Sequence, residues 1–132
     1  MPTPAVIARR WFEEIWNQRR VESIDDLLAP DGVGHMVTGD IRGPVEFRKV
    51  HAELLVAFPD QSVRIKAIAA EGENAFVHWL IEGTHQGQLL DIAPTGKKMT
   101  INGVTRFRIQ DAKVVEGWDF WDAGGLLAYL RA

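Results

Sequence analysis

The chain has 132 residues, 46% of them hydrophobic and 25% charged, with a formal charge of −3. These values fit one globular domain with a core large enough to line a pocket, and they argue against nucleic acid or an anionic membrane surface as a partner. Cysteine is absent, which removes disulfides, thiol catalysis and thiolate metal sites.

The first residues, MPTPAVIARRWFEE, contain no long apolar run and soon turn charged, so they do not read as a signal peptide. No stretch approaches the roughly 18 apolar residues of a membrane span, and a cytoplasmic location is the default expectation. Thr3-Pro4 suits an N-cap followed by a first helical position. Ala8, Trp11, Phe12, Ile15 and Trp16 then recur at helical spacing, and Asn17 to Arg20 close that helix. Ser23, Asp25 and Asp26 open a short second helix that stops before Pro30. A weak strand lies near Val33 to Val37. Gly43-Pro44 begins a third helix, lined by Phe47, Val50, Leu54, Leu55 and Phe58 and ended by Pro59.

Strands are predicted over residues 61–70, 74–85, 99–110 and 113–122, all rich in Val, Ile, Phe, Trp and Thr. Glu71 to Asn74 and Gln110 to Ala112 read as hairpin turns. Residues 86–98 form the longest loop, and a short helix, Leu126 to Leu130, follows Gly124-Gly125. Helices followed by a run of strands predict an α+β domain over residues 1–132, with helices packed on a curved antiparallel sheet. Such a sheet leaves a conical cavity, and cavity mouths of this kind favour ligands.

The segment VVEGWDFWD, Val114 to Asp122, concentrates two aspartates and two tryptophans. With period two, Trp118, Phe120 and Asp122 share one face and Asp119 and Trp121 the other. Asp122 is therefore a candidate acid or base whose pKa the neighbouring aromatics would raise. Its structural alternative is the N-cap of the last helix. His85 ends the face that carries Val77, Trp79, Ile81 and Gly83 and is a second candidate, against an ordinary structural histidine. His35 lies beside the weak strand. His51 suits a satisfied core or interface position, and His78 has the opposite parity to His85. The histidines show neither H-x-H nor H-E-x-x-H spacing, so no metal is expected. PTGKK lacks the first glycine and the Ser/Thr of a phosphate loop, and no dinucleotide fingerprint follows a strand.

Six segments, in order, carry a resemblance: WNQ from Trp16, LLAPDGVGH ending at His35, AFPD from Ala57, EGTHQG from Glu82, PTGKK from Pro94, and VVEGWDFWD. Together they resemble the SnoaL-like polyketide cyclase family, within the wider NTF2-like superfamily of cone-shaped α+β proteins. The resemblance implies helices against a curved antiparallel sheet, a homodimer, and a small hydrophobic or polyketide-like ligand. It also implies ring closure by intramolecular aldol condensation without cofactor or metal. The family's pocket aspartate matches Asp122, in a tryptophan–three residues–aspartate pattern begun by Trp118. His85 matches a cavity histidine, and His35 matches a further histidine near the pocket. Trp118, Trp79, Phe58 and Trp16 are assigned to the pocket wall. Asp91 and Asp111-Ala112-Lys113 depart from the usual loop and hairpin. Proton-shuttling isomerisation or hydrolysis in the same pocket, or a non-catalytic binding module, are the rival readings.

Overall fold

Thr3 begins the architecture: its hydroxyl accepts from the Val6 N–H at 3.3 Å, and Pro4 follows at the first helical position. The computed structural model describes residues 1–132. Helix α1 runs Pro4–Arg10 and passes into a wider π-helical segment, Trp11–Asn17. There the Gln18 N–H reaches back five residues to the Glu13 carbonyl at 2.9 Å. Trp11, Phe12 and Ile15 are buried along it, while Trp16 is half-buried. His51 donates from Nε2 to the Ile15 carbonyl at 2.8 Å, and burial holds its imidazole below the ordinary histidine range. It is a core histidine satisfied by the wide turn.

Helix α2 is Glu22–Leu27, and strand β1 follows at once as Leu28–Met36. The expected weak strand is therefore longer than the sequence reading gives it. A short strand β2, Gly39–Arg42, was not foreseen and pairs antiparallel with β1. Helix α3 spans Gly43–Ala57, and strands β3 (Ser62–Glu71), β4 (Asn74–Thr84), β5 (Lys98–Gln110) and β6 (Lys113–Trp121) lead to helix α4, Ala123–Arg131. The six strands form one sheet in the order β2-β1-β6-β5-β4-β3. All neighbours are antiparallel except β1 and β6, which run parallel, so the sheet is mixed. Their pairing breaks between Leu28 and Val33, the stretch that holds Pro30, which has no N–H to give a ladder.

On β4 the alternation is regular: Ala75, Val77 and Trp79 are buried, and Phe76 and His78 are exposed. The buried face meets Ile7, Ala8, Phe12 and Ile15 in the main core. A smaller cluster of Ala57, Phe58, Ile92, Met99, Leu126 and Leu130 closes the end of the fold beneath α4.

Strand β6 is not regular. Val114 pairs with Ile109 and Glu116 with Arg108, so Val115 is an extra residue in the β5–β6 ladder. Such a bulge reverses the parity beyond it. Val114 points inward, and so do Gly117, Asp119 and Trp121, whereas Glu116, Trp118 and Phe120 point outward. This overturns the expected orientation of the tryptophan–aspartate segment.

Candidate active site

Between the π-helical segment, α3 and the concave face of the sheet lies a cavity of about 140 Å³. Trp11, Phe12, Trp16 and Phe47 wall it from the helical side, and Trp79, Phe107 and Trp121 from the sheet. Asp119 is the only carboxylate that lines it. Trp79 can lie flat across the sheet because its partner on β5 is Gly103, where any Cβ would collide with the indole. From that position Trp79 donates Nε1–H to Thr105 Oγ1 at 2.9 Å. Thr105 in turn donates to Asp119 Oδ1 at 2.7 Å. The relay fixes the carboxyl group and leaves Oδ2 without a hydrogen bond in the chain. Asp119 is half-buried. Burial raises its pKa above the usual carboxylate range, and the Thr105 hydrogen bond opposes the rise without cancelling it. A carboxyl group held in this way takes up a proton more readily than a solvated one and can return it.

Asp122 has a different place. It is exposed, and its Oδ1 accepts from the Gly125 N–H at 2.8 Å as the N-cap of α4. A Cβ at Gly125 would strike that carboxylate, which accounts for the glycine. Asp122 borders only a surface depression beside Lys98 and Tyr129. The expected pocket acid is thus corrected in position: the bulge at Val115 turns Asp119 inward, and Asp122 falls beyond the strand.

His85 is fully buried but does not line the Asp119 cavity. Its Nδ1 accepts from the Thr95 N–H at 3.2 Å and lies 2.9 Å from Thr95 Oγ1. Its backbone pairs with Lys97 and Gly96. The imidazole therefore clamps the 86–98 loop and lies tilted against Phe58, ring centroids 5.6 Å apart, with Nε2 unpaired. His85 and Asp122 do not meet.

His35 borders the Asp119 cavity, and its ring turns to partners on the outer face. Its Nε2 lies 2.6 Å from Glu116 Oε2 and its Nδ1 3.0 Å from Asp40 Oδ1, and its ring stacks on Trp118 at 5.5 Å. Hydrogen bonds with Glu116 and then Asp40 raise its pKa. Arg106 covers Trp118 at 4.3 Å. Trp118 is accordingly no pocket wall, whereas Trp16 and Trp79 are. Phe58 lines a second cavity, next to the first. The sequence reading missed Asp119 as a site residue, together with Thr105 and Gln61. The available signal was the Val114-Val115 pair, two apolar neighbours that a regular half-buried strand cannot both turn inward.

A cone of helices and curved sheet with one half-buried carboxylic acid in its cavity is the NTF2-like fold, and solved structures share that fold. The model of the SnoaL-like polyketide cyclase family matches residues 6–130, and the chain belongs to that family. It is similar to the nogalonic acid methyl ester cyclase of Streptomyces nogalater, at 24% identity over 87% of this chain and 88% of that one. A candidate SnoaL-like polyketide cyclase from Jannaschia sp. CCS1 superposes with a TM-score of 0.91, at 22% identity over 98% of this chain and 92% of the other. IdmH, a candidate polyketide cyclase from Streptomyces antibioticus, gives 0.84 at 24% identity, over 99% and 100%.

Proposed function

We propose that the chain is a cofactor-independent cyclase that closes a ring by intramolecular aldol addition, with Asp119 as its acid and base. The observation that carries this reading is the lone cavity carboxylate, anchored through Oδ1 by Thr105 and Trp79 and open at Oδ2. Oδ2 takes the proton from a carbon next to a carbonyl. The enolate carbon attacks a second carbonyl of the same molecule, forming the new carbon–carbon bond. The resulting alkoxide recovers the proton from Asp119, so the carboxylate is regenerated and product and substrate are isomers. The apolar walls favour this traffic because they lift the carboxyl pKa toward that of a working base.

Nogalonic acid methyl ester, which the Streptomyces nogalater relative is named for, is the first substrate to test. Asp119→Asn keeps an acceptor for Thr105 but cannot carry the proton. Turnover should fall about 10²–10⁴-fold while binding persists. Equal turnover in that variant would overturn the mechanism. Asp122→Ala, by contrast, should leave the chemical step intact and loosen α4. Product mass separates the rival chemistries, since hydrolysis adds water and ring closure does not. We also infer that two copies associate through the outer sheet face, where Phe76 and Phe120 are 42% and 59% exposed.

A further inference from the structure

The Asp119 cavity does not stand alone. A second cavity of about 570 Å³ opens beside it, under the 86–98 loop and α4. Six residues line both: Met36, Leu54, Gln61, Ile81, Ile101 and Trp121. Five of these present apolar or aromatic surface. Gln61 is the exception, and it is only 7% exposed.

The hydrogen bonds of Gln61 decide how its amide points. Nε2 donates to the Leu54 carbonyl at 3.1 Å and to the Phe58 carbonyl at 3.3 Å. Two carbonyl acceptors demand the NH₂ end of the amide on that side and use both its protons. Oε1 accepts no hydrogen bond from the chain, yet it is not among the sealed, unpartnered polar atoms. That oxygen belongs to a side chain that lines both cavities. The seam between the chambers therefore offers a neutral acceptor with its donors already used.

We propose that Gln61 reads a hydroxyl group in the middle of an elongated, otherwise apolar substrate, one arm of which enters the Asp119 chamber and the other the outer chamber. This rests on the reading that the Asp119 cavity holds the substrate. The inner chamber matches a ring: apolar cavities of about 150 Å³ take up benzene. A neutral donor suits the seam because a cation would bring a large desolvation cost into apolar walls. An acceptor left without a donor is likewise costly, so an analogue lacking the hydroxyl proton is discriminated against.

The test uses 1,3-diphenylpropan-2-ol and 1,3-diphenylpropan-2-one, which share two apolar arms and a central oxygen but differ in the donor. Isothermal titration of the intact protein should show the alcohol binding about tenfold more tightly than the ketone, the yield of one net hydrogen bond. In Gln61→Met that ratio should fall to about one. A crystal of the wild type with the alcohol should place its oxygen within about 3.2 Å of Gln61 Oε1, which keeps the question open to decision if the variant does not fold. Equal affinities in the wild type, an unchanged ratio in Gln61→Met, no binding of either compound, or a hydroxyl lodged elsewhere would each overturn the proposal. The ratio should survive in Asp119→Asn. Loss of the ratio and retention of turnover in Asp119→Asn are thus separate failures, the first of this inference and the second of the acid/base reading.

Discussion

Burying the Asp119 carboxyl group costs stability, and the cost has a sign. Its folded pKa lies above the unfolded value of about 3.9 because burial penalises the charge. Below that value both states are protonated and no penalty arises. As pH rises from there through the folded pKa, the folded state holds its proton longer and stability falls. Asp119→Asn should therefore melt higher than the wild type at neutral pH, and the gap should close in acid; equal melting curves at both pH values would contradict the burial argument. His35 works in the other direction. Its folded pKa is raised, so its contribution is complete below the unfolded histidine value of about 6.5 and disappears as pH climbs through the folded one. Its partner Glu116 is lowered, chiefly by His35, so that contribution is present above about 4.3 and disappears as pH falls through the folded pKa. Melting His35→Gln beside the wild type should show the wild-type advantage largest between those limits and shrinking on either side. The cluster is part-exposed, so the advantage will be small.

Among the elements, the hairpin between β5 and β6 carries a visible cost. Asp111 and Ala112 both adopt left-handed backbone, at φ 52° and 60°. Two such residues make the turn that suits a twisted hairpin, but alanine is disfavoured there. Ala112→Gly should raise stability by about 0.5–1 kcal/mol, the relieved strain exceeding the added freedom of the unfolded chain. Chemical denaturation would detect this as a higher midpoint, and a lower one would mean that the Ala112 methyl packs for more than it strains. The sequence already pointed to this turn, because Gln110 to Ala112 separates two β-rich runs. The regular strands were legible for the same reason: Ala75, Val77 and Trp79 alternate with polar or exposed neighbours. Strand β2 was not, since four mostly exposed residues carry no pattern. The parallel union of β1 with β6 joins residues some eighty positions apart, which local periodicity does not encode.

At the scale of the molecule, the α+β cone was legible from the order of helices and strands, and the motif set identified the family. The location of the cavity carboxylate was not. A family pattern and an unbroken period of two both pointed to Asp122, and one extra residue in the ladder defeats that inference. His85 shows the same limit: its parity was read correctly, but β4 ends at Thr84 and the ring turns to serve a loop. The outer face of the sheet is where the whole-molecule prediction falls. If Phe76 and Phe120 meet a second copy, sedimentation should report a dimer, and Phe76→Lys combined with Phe120→Lys should yield a monomer that keeps its turnover. A wild type that sediments as a monomer at every concentration would remove the self-association reading.

The extra residue at Val115 offsets the count of residues along β6 from the faces that their side chains take. Deleting it would join Val114 to Glu116 in a regular ladder and leave Asp119 opposite Thr105, still facing the cavity. Loss of that single codon would therefore alter the spacing along the chain and not the faces that the side chains take. An aspartate's distance along the chain from a neighbouring tryptophan is thus no guide to the face of the sheet it occupies.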